Sequence, residues 1–146
     1  MKKNLLFFLL TFFYLSLDAQ SVQIIPQPVE VNLLSGDPFI ITKQTPFFFI
    51  SGRAMANVIE FNSLLKKTYG FEMSWIMEVQ DSNQKFIFLH LTKDSAITNA
   101  EGYKIKSCAD YIKITATTRT GMFYGLISVL QMMKPNDSES FSVPAC

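Results

Sequence analysis

The sequence predicts an α+β fold: a mostly antiparallel sheet with two helices packed on one face. Three observations carry this. Apolar and polar residues alternate with period two in several short segments, apolar residues recur at spacings of three and four in two longer ones, and Gly, Pro, Asn and Asp punctuate the junctions. Read in order, the elements run strand pair, helix, two strands, strand pair, helix. With 146 residues, 49% of them hydrophobic and 17% charged, the composition is that of one ordinary globular domain.

The first segment stands apart. Lys2 and Lys3 precede an apolar run over residues 5–17, interrupted only by Thr11 and Ser16. The run is short for a bilayer span, and Ala19 offers a small residue before a cut, so residues 1–19 read as a signal peptide; a buried strand or an uncleaved anchor is the alternative. The expectation is an exported protein, periplasmic or extracellular, with no stable membrane span after cleavage. Losing Lys2, Lys3 and Asp18 turns 13 basic and 12 acidic residues into 11 and 11. A neutral chain without a polybasic stretch carries no electrostatic footprint for nucleic acid or anionic lipid. About 127 residues remain, enough to bury roughly two thirds of the unfolded surface in one core.

Along that remainder, Pro26 and Pro28 make residues 23–29 an extended entry segment, because proline cannot donate to a ladder. Val29, Val31 and Leu33 then alternate with Glu30 and Asn32, and the turn residues 35–38 lead to Phe39, Ile40 and Ile41: a hairpin is expected. Over residues 53–69 the spacing changes. Met55, Val58, Ile59, Phe61, Leu65 and Tyr69 form one helical face, Ser51 or Gly52 can cap its start, and Gly70 ends it. Phe71, Met73, Trp75, Met77 and Val79 alternate as a strand with one buried face. Residues 86–91, FIFLHL, are apolar on both faces and read as the centre of a covered sheet. Residues 102–116 alternate Tyr103 and Ile105 with Lys104 and Lys106, then Ile112 and Ile114 with Lys113 and Thr115, the pattern of a second hairpin.

The stretch TRTGMFYGLISVLQMM, residues 118–133, is a second helix, capped by Thr118 or Thr120 and stopped by Pro135. Its apolar run is too short for a membrane dimer face built on Gly121 and Gly125, and it has no lysine placed for a phosphate loop. Packing remains. Without side chains at 121 and 125 the helix can approach a neighbour closely, while Met122, Phe123, Leu126, Ile127, Val129, Leu130 and Met133 make most of its circumference apolar. A helix apolar all round faces either the rest of a large protein or a partner.

The sequence resembles the N-terminal, non-catalytic domain of family 20 glycoside hydrolases, exo-acting β-N-acetylhexosaminidases. The resemblance rests on IIPQPVEVNLLSGDPFII at 24–41 and on EGYKIKSCADYIKITATTRTGMFYGLISVLQMM at 101–133. Ile25, Pro26 and Pro28 match its opening, residues 101–105 and 112–116 its paired strands, and residues 121–125 the start of its helix. It implies an accessory domain over 23–135 and a linker over 136–146 that starts a catalytic (β/α)₈ barrel absent from this sequence. It also implies that Gly121, Phe123, Tyr124 and Gly125 pack between domains, or against the sheet, with the barrel as partner in cis or in trans.

The family's chemistry is substrate-assisted: the 2-acetamido oxygen attacks the anomeric carbon, an Asp orients the acetamido group and the adjacent Glu protonates the leaving oxygen. This chain has no Asp-Glu pair, and a barrel needs about 250 residues by itself. Asp137 and Glu139 lie in a polar stretch that reads as solvated linker. No catalytic residue is therefore assigned, and no metal or cofactor site: a single His, His90, cannot make a His-based metal centre and reads as a core or strand-end residue. Trp75 reads as core rather than as a sugar-stacking platform, because it alternates with Phe71, Met73 and Met77. Cys108 and Cys146 do not indicate a disulfide framework. The expected function is an accessory domain of an exported β-N-acetylhexosaminidase, truncated before its barrel; the alternative is a stand-alone secreted module that binds carbohydrate or protein.

Overall fold

Alternating segments become strands here only where a partner strand lies beside them. The computed structural model describes residues 24–25, 27–137 and 139–146, so the expected signal peptide lies outside the described residues. The strands are β1 (Phe39–Thr42), β2 (Phe47–Phe48), β3 (Trp75–Ile76), β4 (Phe86–Leu91), β5 (Tyr103–Ser107), β6 (Tyr111–Ala116), β7 (Lys134–Pro135) and β8 (Ser140–Val143). The helices are α1 (Met55–Tyr69) and α2 (Arg119–Met132). The larger sheet has the order β3-β2-β4-β6-β5 and the smaller one β1-β8-β7.

This is an α+β architecture with both helices on one face of the larger sheet. The whole of the smaller sheet and the β5–β6 hairpin are antiparallel. The centre of the larger sheet is parallel: β2 pairs with β3 and β4, and β4 with β6. Parallel neighbours need a long crossover, and α1 supplies it between β2 and β3.

Local chemistry explains both helices. Ser51 Oγ accepts the Arg53 N–H at the 3-10 turn leading into α1. At the other end Gly70 adopts φ 78°, the left-handed conformation that costs glycine nothing, and returns its N–H to the Lys66 carbonyl. Lys66 and Lys67 in that last turn complement the helix dipole. Thr118 caps α2 by accepting the Gly121 N–H at 3.1 Å.

Between helices and sheet lies the core. Phe47, Ile87, Leu89, Ile112, Ile114 and Ala116 project from one sheet face and are fully buried, meeting Val58, Phe61 and Leu65 of α1 and Met122, Leu126 and Val129 of α2. Phe47 and Phe61 meet edge to face, with centroids 5.7 Å apart. The smaller sheet closes one end of this core: Phe141 of β8 stacks on Phe71 and packs against Tyr69. Residues 140–143, expected as linker, are thus the central strand of that sheet, because Phe141 and Val143 bury where a linker would have stayed wet.

Two other expectations change. The hairpin of residues 29–33 with 39–41 does not form: residues 27–34 carry no strand, Val29, Val31 and Leu33 are exposed, and β1 pairs with β8 instead. That long-range ladder buries Phe39 and Ile41 against Phe141 and Val143, whereas pairing with residues 29–33 would offer them two valines and a leucine in place of the Phe141 ring. The strand expected over 71–79 shrinks to Trp75–Ile76, and Trp75, expected in the core, is 47% exposed. It lies on the edge strand, where one side of its ring stacks on Phe49 at 5.8 Å and little covers the rest.

Candidate interdomain face

Helix α2 is held down by its small residues. Gly121, Gly125, Ser128 and Met132 fall on one face by their spacing, and all are buried. A methyl group built at Gly121 would overlap the backbone carbonyl oxygen of Gly102, and one at Gly125 would lie 2.5 Å from Ile114 Cγ2 and 3.4 Å from the Tyr103 ring. The neighbours that the two glycines admit so closely therefore belong to their own domain: the loop before β5 at Gly121 and the sheet at Gly125. Ser128 Oγ and Tyr103 Oη share a 2.6 Å hydrogen bond, so the same face also carries a buried polar tie. Thr118 Oγ1 donates to the Ala100 carbonyl, and Asn57 Nδ2 of α1 donates to the Arg119 carbonyl at 2.9 Å. These two bonds fix the start of α2 to the loop before β5 and to the neighbouring helix.

With that face pressed to the sheet, helical geometry turns Phe123 and Ile127 away from it. Both are half-buried, Tyr124 beside them is 37% exposed, and its ring lies 6.2 Å from that of Phe123. On α1, Ile59 is 64% exposed. The four residues singled out in the sequence thus divide by geometry: Gly121 and Gly125 point inward, Phe123 and Tyr124 outward. Gln131, at the far end of α2, clasps the chain at Ile25, accepting its N–H at 2.8 Å and donating to its carbonyl at 3.0 Å.

Three carboxylates, Asp137, Glu139 and Asp94, are engaged in structure. Asp137 accepts from the Glu139 and Ser140 N–H groups and from Ser140 Oγ, each at 2.7 Å, which together hold its carboxyl below the usual range. It shapes the turn between β7 and β8. Glu139 pairs with Lys43 at 3.1 Å across the smaller sheet. Asp94 bonds Lys104 at 2.9 Å and the Ala96 N–H, and its carboxyl is likewise depressed, first by the lysine. Among the described residues no three His, Cys, Asp or Glu side chains gather as a metal site.

His90 lies on the sheet face away from the helices, half-buried and stacked on Phe88 at 5.2 Å. Burial, and after it the Lys113 ammonium, keep it below the usual imidazole range. Cys108 and Cys146 are free thiols. Cys146 reaches the edge of β5, where its backbone exchanges two hydrogen bonds with Ser107 at 2.9 and 3.1 Å. No sequence signal marks that bridge, since the two residues are far apart in the chain. Among the described residues no helix is long and apolar enough to cross a membrane.

No curated protein sequence matches the chain. The fold recurs in solved glycosidases. The family 20 β-N-acetylhexosaminidase of Streptomyces coelicolor A3(2) superposes with a TM-score of 0.67 at 23% identity, over 84% of this chain and 25% of that one. The family 20 exo-β-N-acetylglucosaminidase of Vibrio harveyi gives 0.66 at 19% identity, over 84% and 18%. The Flavobacterium johnsoniae chitobiase gives 0.59 at 26% identity, over 84% and 19%. The chain therefore spans only 18% to 25% of the length of these enzymes. The sequence model of glycosyl hydrolase family 20, domain 2, matches residues 21–146. With nearly every described residue inside that match, the chain belongs to glycosyl hydrolase family 20 as its domain 2.

Proposed function

We propose that this domain is a non-catalytic support for the catalytic (β/α)₈ barrel of an exported β-N-acetylhexosaminidase, with the barrel supplied in cis or in trans. The observation that carries the reading is the outer side of α2. A helix whose small residues lie against its own domain still presents Phe123, Tyr124 and Ile127 on the outer side, and an apolar outer side is stable when another body covers it. Membership of family 20 supports a barrel as that body. A barrel-bearing chain co-expressed with the domain should co-purify with it, and Tyr124→Lys should abolish the association. The purified domain alone should release no chromophore from a chromogenic N-acetylglucosaminide; turnover by it would overthrow the assignment. Export rests on Lys2, Lys3 and the apolar run that follows, and is checked by N-terminal sequencing, with Gln20 expected first.

One observation favours a second reading. Trp75 is the only tryptophan and is nearly half exposed on an edge strand, which suits a secreted module that binds carbohydrate or protein. Its fluorescence should then quench or shift on titration with chitooligosaccharide, whereas the support reading predicts no change.

A further inference from the structure

The face of the larger sheet turned away from the helices has no described strand or helix over it, although its central strands β2, β4 and β6 are parallel. Parallel strands are ordinarily buried on both faces, and β4, FIFLHL, carries apolar side chains on both. Register lays out what the outer face holds. Ile76, Phe48, Phe88, Lys113 and Lys106 are successive partners across β3, β2, β4, β6 and β5, so one row passes from apolar to cationic.

The cationic end of that row opposes like to like. Lys106 and Lys113 stand directly across from each other in the β5–β6 hairpin, an arrangement that lowers stability. Neither ammonium pairs with a carboxylate among the described residues; Lys113 lies 5.6 Å from the Phe88 ring and Lys106 6.0 Å from the Tyr111 ring. Lys104, two residues before Lys106 on β5, is by contrast neutralised by Asp94 at 2.9 Å. Two unneutralised cations beside an apolar patch complement a partner that is apolar and acidic.

The rings indicate the class of that partner. Phe88 is stacked with Phe48 and with His90 at interplanar angles of 29° and 22°, and Phe86 with Tyr111 at 14°. Their faces are occupied by one another, so the row offers ring edges rather than a free face on which a sugar could lie. Aliphatic side chains need no free face.

We propose that the outer face of the sheet docks an amphipathic helix of a partner polypeptide, lying along β2 and β4 with its apolar stripe on Phe48 and Phe88 and carboxylates over Lys106 and Lys113. The mode is that of a helix laid on an apolar surface, with charge setting its orientation. The other flank of the helix, toward Glu78 and Asp81 beside Ile76, is basic or neutral. This side of the domain is opposite α1 and α2, so the proposal stands apart from the support reading and fails or holds independently of it.

The test titrates the full chain with a synthetic amphipathic peptide, leucine on its stripe and glutamate on one flank, and with a twin carrying lysine for glutamate. Binding is followed by NMR at the amides of Phe88, Lys106 and Lys113 and at the His90 imidazole. The glutamate peptide should bind about tenfold more tightly than its twin, and high salt should erase the preference. Lys106→Glu separates docking from folding: it sets a carboxylate opposite Lys113, so Tm should rise while the preference for the glutamate peptide falls. Equal affinities for the two peptides, shifts confined to α2, or a Tm lowered by Lys106→Glu would each overturn the proposal. So would polygalacturonate moving the same amides where the glutamate peptide, at equal carboxylate concentration, does not, which would make this face a site for acidic glycans.

Discussion

The two faces of the larger sheet solve the same problem in different ways. On one, Ile87, Leu89, Ile112, Ile114 and Ala116 are covered by helices, and the approach of α2 is limited by backbone at Gly121 and by the Ile114 and Tyr103 side chains at Gly125. On the other, no described element covers the side chains, and they cover one another. Phe48 stacks on Phe88 at 4.9 Å, Phe88 on His90 at 5.2 Å and Phe86 on Tyr111 at 6.3 Å, with the Lys113 ammonium 5.6 Å from the Phe88 ring. The covered face should be intolerant of added volume, since its neighbour is rigid. The self-covered face should respond mainly to loss, because rings that stand in water on one side can readjust.

The largest effect is expected from Gly121→Ala. The added methyl meets the Gly102 carbonyl, which is backbone and cannot rotate away, so the start of α2 must lift from the sheet. The gain of about 1 kcal/mol in helix propensity offsets part of an overpacking cost that reaches about 3 kcal/mol. A fall of roughly 5–10 °C in Tm is the expected calorimetric result. An unchanged or raised Tm would show that propensity, and not close approach, governs that position.

Gly125→Ala should cost less, about 1 kcal/mol, because the atom in the way is the tip of a side chain, Ile114 Cγ2. Ile114→Leu removes that branch, so the double variant should be less destabilised than the two single changes added together. Additive effects in a denaturant double-mutant cycle would mean that the Tyr103 ring, not Ile114, is the obstacle.

Both glycines could be found in the sequence, because their four-residue spacing inside an apolar helix has a local meaning. Which way they face could not, since Gly121 meets a carbonyl nineteen positions earlier and no pattern in α2 records that. The same division runs through the fold. The β5–β6 hairpin, the Thr118 cap and the Gly70 stop were legible because their causes lie within a few residues of one another. The β1–β8 ladder and the parallel β4–β6 pairing were not, because each joins segments whose alternation would suit several partners. Residues 29–33 show the cost of trusting alternation alone: the pattern is present and no described ladder uses it. Of the candidate face, Phe123 and Tyr124 were readable as excess apolar surface, while the bridge between Ser107 and Cys146 depends on a contact with no local trace.

On the self-covered face, Phe88→Ala should cost about 1–2 kcal/mol, well below the loss for a phenylalanine buried in the core, because the ring is half-buried and its chief contribution is the stacks on Phe48 and His90. A loss as large as that from Phe47→Ala, measured by the same denaturant unfolding, would mean that something covers this face in solution.

The smallest effect is electrostatic and tests whether Lys113 acts on the aromatic row. Burial lowers the His90 pKa from 6.5, and Lys113 lowers it further. Because the folded value lies below the unfolded one, the unfolded chain takes up the proton first. The stability held by neutral His90 is therefore complete above about pH 6.5 and is lost as pH falls through the folded value. Lys113→Gln removes the second cause and leaves the first, so the His90 pKa measured by NMR should rise yet stay below 6.5, and the acid-side loss should shrink and be complete at a higher pH than in the parent chain. A pKa that does not move would place the ammonium over the Phe88 ring without influence on the imidazole. A pKa restored fully to 6.5 would mean that the row does not desolvate His90, and that this face of the sheet is open to water between its rings.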